Sequence, residues 1–331
     1  MMIRDNPMLF ALDSSSEFGL RVAFRLGIAL SRHEEREFEN GEHKARPLEE
    51  VGARNVFVIH SLHGQNGASA NDRLVRMLFF IGALKDAGAA RVTAVIPYLA
   101  YSRKDRRTKP RDPVTTRYVA QLFESVGADG ILTVEIHNLS AFENAFRTCR
   151  SEHIPVAGLF AAHIAEMADE DTQFAVVSPD AGGNKRAELL RHALEQHLGR
   201  PVKKGIMDKH RSMDVVSGTH FTGDVEGCTV IIFDDLIASG TTILRAAEAS
   251  RKAGATEIIA AAAHGMFSAD AALFDAGGPD RILLTDTVPL PGGLSDHARS
   301  MIDIVEVSAL VGDVIGRLHS GEAVSELLPY D

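Results

Sequence analysis

The residue types with the clearest chemical content fall in one stretch, Val230-Ile231-Ile232-Phe233-Asp234-Asp235-Leu236-Ile237-Ala238-Ser239-Gly240-Thr241-Thr242. It reads as a short buried strand, two carboxylates at its carboxyl end, a loop of small residues and the start of a helix. In an open α/β sheet the crevice beyond the carboxyl ends of the strands is where ligands bind. The backbone N–H groups of a Ser-Gly-Thr-Thr loop entering a helix suit a phosphate. Asp234 and Asp235 would repel that phosphate, so they suit sugar hydroxyls or a bound Mg²⁺. Phosphate beside hydroxyls points to a sugar phosphate, without saying what is done to it.

A second stretch, Tyr98 to Arg117, carries Arg103, Lys104, Arg106, Arg107, Lys109 and Arg111 in a chain whose formal net charge is −10. Pro110 and Pro113 prevent a continuous helix there. Clustered cations repel, so a mobile loop is expected; it is either a solvated charged surface or a clamp for a polyphosphate. Asp180 follows the apolar run Phe174–Val177 and precedes Ala181-Gly182-Gly183, again a carboxylate at the end of a strand. His137 ends the run Ile131–Ile136, where a structural hydrogen-bonding role competes with ligand binding. Lys209, His210 and Arg211 are expected to follow a strand near Val202–Met207 across a polar turn, with surface charge as the competing reading.

The elements that position these residues alternate between strand and helix, which indicates α/β with parallel sheets. Val56–His60 reads as a strand; Asn71–Lys85 has apolar residues at helical spacing; Gly88 closes that helix; Val92–Pro97 is the next strand. The pattern recurs as Val119–Val126, Gly127 and Gly130–Ile136, then as Ala246–Ala253, Gly254 and Glu257–Ala263. Each helix ends in Gly-Ala, and the first and last junctions lie about half a chain apart. Two related α/β halves and a common helix ending both account for this. The polar segment Arg150–Pro155 is the best boundary, giving domains 1–152 and 153–331. The tail from Ser308 reads as helical to about Leu318 and is placed to cross back to the first half.

With 331 residues, 45% hydrophobic and 24% charged, the chain is long enough for two ordinary globular domains. The acidic balance argues against general nucleic-acid binding. Two distant cysteines, Cys149 and Cys228, indicate neither a disulfide framework nor a zinc site. Neither a signal pattern nor a membrane span is evident, so a cytoplasmic enzyme is expected.

Taken in order, Phe38-Glu39-Asn40-Gly41-Glu42, Tyr101–Arg106 with Arg111–Thr115, Glu135-Ile136-His137, Val177–Gly183, Asp208–Arg211, the Asp234–Thr242 loop, His264–Ser268 and Glu322–Ser325 resemble the ribose-phosphate pyrophosphokinase family, which makes phosphoribosyl diphosphate (PRPP). The resemblance implies two tandem phosphoribosyltransferase-like domains, each a mostly parallel sheet flanked by helices. It also implies transfer of diphosphate from Mg-ATP to the 1-hydroxyl of ribose 5-phosphate, giving PRPP and AMP. Under it, Phe38, Asn40, Glu42, Arg103, Lys104 and Asp105 bind ATP, and Asp234, Asp235, Ser239, Gly240, Thr241 and Thr242 bind ribose 5-phosphate. His137 and Asp180 sit at the Mg²⁺ site, and Lys209 and Arg211 are the catalytic cations. A homo-oligomer of dimer or hexamer type is implied. Ala238, where the family commonly has an acid, and Thr241, where it commonly has glycine, depart from the pattern. Two other readings stay open: a weak or inactive synthetase-like regulatory subunit, and a transferase that consumes PRPP.

Overall fold

A computed structural model describes residues 6–64, 67–212 and 215–328; the side chains of residues 208–220 lie outside that description. The chain folds as two compact units, one running to Pro155 and resuming at Val307, the other spanning Val156–Glu306.

Unit 1 contains β1 (Met8–Ala11), α1 (Ser16–Leu26), β2 (His33–Glu37), β3 (His43–Pro47), β4 (Asn55–Ile59), α2 (Ala70–Asp86), β5 (Arg91–Ile96), α3 (Thr115–Ser125), β6 (Gly130–Val134), α4 (Leu139–Glu143) and β7 (Arg150–Ile154). Its main sheet has the order β1-β4-β5-β6-β7. All its pairings are parallel. Strands covered on both faces read as continuous apolar runs, and every residue of β4 and β6 is buried. β2 and β3 form a separate antiparallel hairpin.

Unit 2 contains α5 (Ala157–Glu166), β8 (Phe174–Ser178), α6 (Asn184–Leu198), β9 (Lys203–Ser212), β10 (Val215–Gly223), β11 (Thr229–Ile237), α7 (Thr241–Lys252), β12 (Glu257–Gly265), β13 (Arg281–Thr285), α8 (Asp296–Ser300) and β14 (Ile302–Val305). Its sheet runs β10-β9-β8-β11-β12-β13-β14, with only β10 antiparallel to its neighbour among the described strands. From β8 the chain passes through α6 to β9 on one side, and from β11 through α7 to β12 on the other. The strand order therefore reverses between β8 and β11, the switch point at which doubly wound sheets open a ligand crevice.

The final helix, α9 (Ser308–Ser320), packs on α1 in unit 1. Arg25 donates twice to Asp313, at 2.7 and 2.8 Å. A methyl group on Gly312 would stand 2.8 Å from Cγ of Arg25, so the contact needs a residue without Cβ.

The Gly-Ala junctions have the expected form, with Gly88, Gly127 and Gly254 at φ of 84°, 86° and 93°. Three expectations change. The polar segment Arg150–Pro155 read as a boundary contains the edge strand β7, which runs to Ile154 before the chain leaves unit 1 at Pro155. β6 stops at Val134, because Glu135 turns out of the strand with φ 39°. β9 continues through Lys209 and Arg211, since β10 pairs with it as far as Ser212.

Candidate functional site

In unit 2 the parallel strands β8 and β11 run side by side, Val177 opposite Ile232, and β11 continues to Ile237 beyond the end of β8 at Ser178. Two residues beyond Ile232, β11 presents Asp234 and Asp235. Asp235 is 4% exposed, and its backbone N–H donates to Asp234 Oδ1 at 2.9 Å. Adjacent carboxylates in a strand would normally point to opposite faces and separate. Here both are reached by one cation, Arg186 Nη1, at 3.2 Å from Asp234 Oδ1 and 3.4 Å from Asp235 Oδ1. Burial, and then the charge of Asp235, pushes Asp234 well above the usual carboxylate range; Arg186 pulls it back. Such a pair favours a ligand that brings hydroxyl donors or a divalent cation.

β11 leads through Ala238–Gly240 into α7. Gly240 has φ 76°, and a Cβ there would lie 3.0 Å from Cβ of Leu273, so two independent constraints require glycine. Ser239 and Thr241 bring their hydroxyl oxygens to 3.0 Å of each other at the start of α7. The first N–H groups of this twelve-residue helix have no partner within it, and the hydroxyls stand beside them. Thr241 is exposed at the first helical position.

After β8, Ser178 Oγ donates to the Asp180 carbonyl at 2.6 Å, and the Asp180 carboxylate accepts from the Gly183 N–H at 3.1 Å. That turn feeds directly into α6, whose first turn carries Arg186. The turn thus sets the helix that delivers the cation to Asp234 and Asp235. Arg186 was not singled out from sequence; the available signal was a basic residue one turn into a helix that follows a strand-end aspartate. Lys209 and Arg211 lie on β9, next to β8, and their side chains fall outside the described residues.

In unit 1 the basic stretch follows the carboxyl end of β5. It is not held open by repulsion, because it carries its own counter-ion. Asp112 accepts from Lys104 Nζ at 2.7 Å, from the Thr108 hydroxyl at 2.7 Å, and from the backbone N–H groups of Lys109 and Thr108 at 2.9 and 3.1 Å. Lys104, then Thr108 and Lys109, hold the Asp112 carboxyl far below its usual range. Thr116 at the start of α3 donates to the carbonyls of Tyr101 and Lys104 at 3.2 and 3.3 Å. Tyr101 and Arg111 bracket the loop in left-handed conformations, φ 66° and 69°, a backbone cost typical of functional segments. Lys104 is therefore partly engaged within the loop, whereas Arg103, Arg106, Arg107, Lys109 and Arg111 are exposed. Asp105 accepts from Asn138 Nδ2 at 2.6 Å, which brings the loop to the residue beside His137, itself exposed.

Phe38, Asn40 and Glu42 occupy the turn between β2 and β3. Phe38 is 39% exposed and the Arg36 guanidinium lies 4.9 Å over its ring. The Gly41 N–H donates to the Phe38 carbonyl at 2.9 Å, and the Glu42 N–H to Asn40 Oδ1 at 3.2 Å. An exposed, flat aromatic beside two polar side chains is suited to stacking and edge recognition of a base. His137 belongs to unit 1 and Asp180 to unit 2.

Residues 7–127 match the N-terminal domain of ribose phosphate pyrophosphokinase, and residues 182–329 match the phosphoribosyl synthetase-associated domain. The chain is 33% identical over 327 residues to ribose-phosphate pyrophosphokinase 1 of Streptococcus pneumoniae serotype 4, covering 98% of this chain and 97% of the relative. The corresponding protein of Streptococcus mutans serotype c is 31% identical over 333 residues, covering 99% of each. A crystal structure of phosphoribosylpyrophosphate synthetase from Mycobacterium smegmatis superposes with a TM-score of 0.84 at 30% identity, covering 96% of this chain and all of that one.

Proposed function

The chain belongs to the ribose-phosphate pyrophosphokinase family, and from that premise we propose that it transfers diphosphate from Mg-ATP to the 1-hydroxyl of ribose 5-phosphate, forming PRPP and AMP. The observation that carries the synthetic direction is the intact basic loop at the end of β5. A transferase that consumes PRPP has no triphosphate to hold, whereas this loop spends a structural aspartate and two left-handed residues on presenting five exposed cations.

In this reading the N-terminal turn of α7 with Ser239, Gly240, Thr241 and Thr242 binds the 5-phosphate through backbone N–H groups and hydroxyls. Asp234 and Asp235, held by Arg186, accept hydrogen bonds from the ribose hydroxyls and fix the sugar. Phe38 stacks on adenine while Asn40 and Glu42 read its edge, and Arg103 with Lys104 and Asp105 orders the triphosphate. Oxygen donors such as Asp180 fit Mg²⁺, which prefers them; His137 suits a phosphate oxygen or a water in the ion's shell better than the ion itself. When bound, Mg²⁺ neutralises charge on the diphosphoryl group. Lys209 and Arg211 would stabilise that group as it moves, since in such transfers the protein chiefly positions and neutralises.

Incubation with Mg-ATP and ribose 5-phosphate, following AMP and PRPP together, tests the proposal. Stoichiometric appearance of both is expected. ATP binding by folded protein without either product would instead identify a regulatory subunit.

A further inference from the structure

The β2–β3 hairpin has an unusual inner face. Along β2, His33, Glu35 and Glu37 share one side, and register places His43 of β3 opposite Glu37. The outer side carries Glu34 and Arg46, paired at 2.6 Å. A hairpin packed on a helix normally turns apolar residues inward; beside Ala45, this one turns inward two imidazoles and the Glu35 carboxylate, with Glu37 at its exposed rim. Glu37 is matched by Arg76 of α2 at 2.7 Å. The other three groups converge. Glu35 Oε1 lies 3.1 Å from His33 Nε2, and Glu35 Oε2 lies 2.9 Å from His43 Nε2. Asp13, just after β1, joins them: its N–H donates to Glu35 Oε1 at 2.6 Å and its carboxylate lies 3.6 Å from His33 Nε2.

Two ligands at tetrahedral corners, with bonds of about 2.0–2.1 Å, stand about 3.4 Å apart. The separations around His33 Nε2 bracket that value. Among the described residues, Asp13, His33 and Glu35 form the group whose ligand atoms all lie within 4.8 Å of one another. Phe10 and Phe80 fix the His33 ring from two sides, with centroids at 6.3 and 5.5 Å.

The surroundings of the cluster are also polar. The cluster opens on a cavity of about 720 Å³, and His60, only 2% exposed, lines it too. Nδ1 of His60 faces the hydroxyls of Ser14 and Ser15 at 3.5 and 3.4 Å, while its Nε2 has no hydrogen-bond partner.

We propose that Asp13, His33 and Glu35, supported by His43, form a binding site for a zinc-like divalent ion separate from the Mg²⁺ site of the reaction. Mixed imidazole and carboxylate donors select zinc and its first-row neighbours over Mg²⁺. His33 then carries its proton on Nδ1, leaving the Nε2 lone pair for the metal. The ion would tie the segment after β1 to the stem of the hairpin whose turn carries Phe38, Asn40 and Glu42.

The test uses untagged full-length protein stripped with chelator, with neither nucleotide nor sugar phosphate present, so its outcome is independent of PRPP synthesis. Titration with Co²⁺ is expected to give a visible ligand-field band saturating at one ion per chain and displaced by one equivalent of Zn²⁺. His33→Ala should abolish the band and Glu35→Gln should weaken binding at least about tenfold, while His137→Ala and Asp180→Asn leave the band intact. Zn²⁺ should also slow amide exchange across residues 33–47. Absence of a saturable band in wild type, survival of the band at full affinity in Glu35→Gln, or its loss in His137→Ala would each overturn the proposal. If His33→Ala does not fold, the near-isosteric Glu35→Gln decides.

Discussion

The sheet of unit 2 reverses its strand order between β8 and β11, and most of its candidate residues stand on or just after those two strands or on the helices that leave them, with Lys209 and Arg211 on the neighbouring β9. In unit 1 the order steps one way from β1 to β7. No reversal opens a crevice among its described strands, and its candidate residues lie on a hairpin turn, on an irregular loop and, for His137, just after β6. The difference separates two kinds of recognition. Under the proposed function, a small sugar phosphate would be held by positions that sheet packing fixes, beside one buried and one half-buried carboxylate. A long, flexible triphosphate would be met by segments that fold around a counter-ion of their own.

Four substitutions test that division. The largest effect is expected for Lys209→Ala, which should lower kcat about a hundredfold or more with little change in either KM, measured by initial rates of AMP release. An unchanged kcat would remove the catalytic cation from unit 2. Next comes Arg186→Ala, which strands buried Asp235 and half-buried Asp234. Losing one partner of a buried pair costs about 3 kcal/mol, so thermal unfolding should fall by about 6–12 °C and KM for ribose 5-phosphate should rise. Retention of wild-type melting would mean that the pair does not depend on α6.

The third substitution, Asp234→Asn, should act in the opposite sense on stability. The folded-state value for Asp234 lies above its unfolded value, so the stability linked to its proton is complete at acid pH. It is lost as pH rises through the folded value. Asn, which cannot ionise, should melt about 2–4 °C higher than wild type near pH 8 and coincide with it near pH 4, while activity falls. The smallest effect is expected in unit 1: Asp112→Asn loosens the basic loop, raising KM for ATP about fivefold with melting nearly unchanged. A melting loss as large as that of Arg186→Ala would show that the loop is part of the core after all.

Legibility in the sequence followed burial. β11 and the loop after it were readable because Val230–Phe233 is an apolar run that ends in charged and small residues, and buried parallel strands leave that signature. The Gly-Ala helix endings were readable because a left-handed position selects glycine. The β2–β3 hairpin left no such trace, since His-Glu-Glu-Arg-Glu alternates polar with polar; its two faces differ in what they touch, not in hydropathy. Arg186 was hidden because its role depends on a contact across 48 positions. Asp112 was read only as part of a basic stretch, although it is the residue that lets so many cations share one loop. β9 extended beyond its expected end because pairing with β10, rather than its own polar side chains, sets its length.

The packing of α9 on α1 bears on how the protein is made. Unit 2 is an excursion in the chain of unit 1: translation leaves unit 1 at Pro155 and returns to it only at Val307. At roughly 5–20 residues per second, the intervening segment keeps the α1 surface without its covering helix for on the order of ten to thirty seconds. A domain that is begun first is thus finished last. During that interval Val22 and its neighbours on α1, buried in the finished fold, are the apolar surface that a nascent-chain chaperone would find.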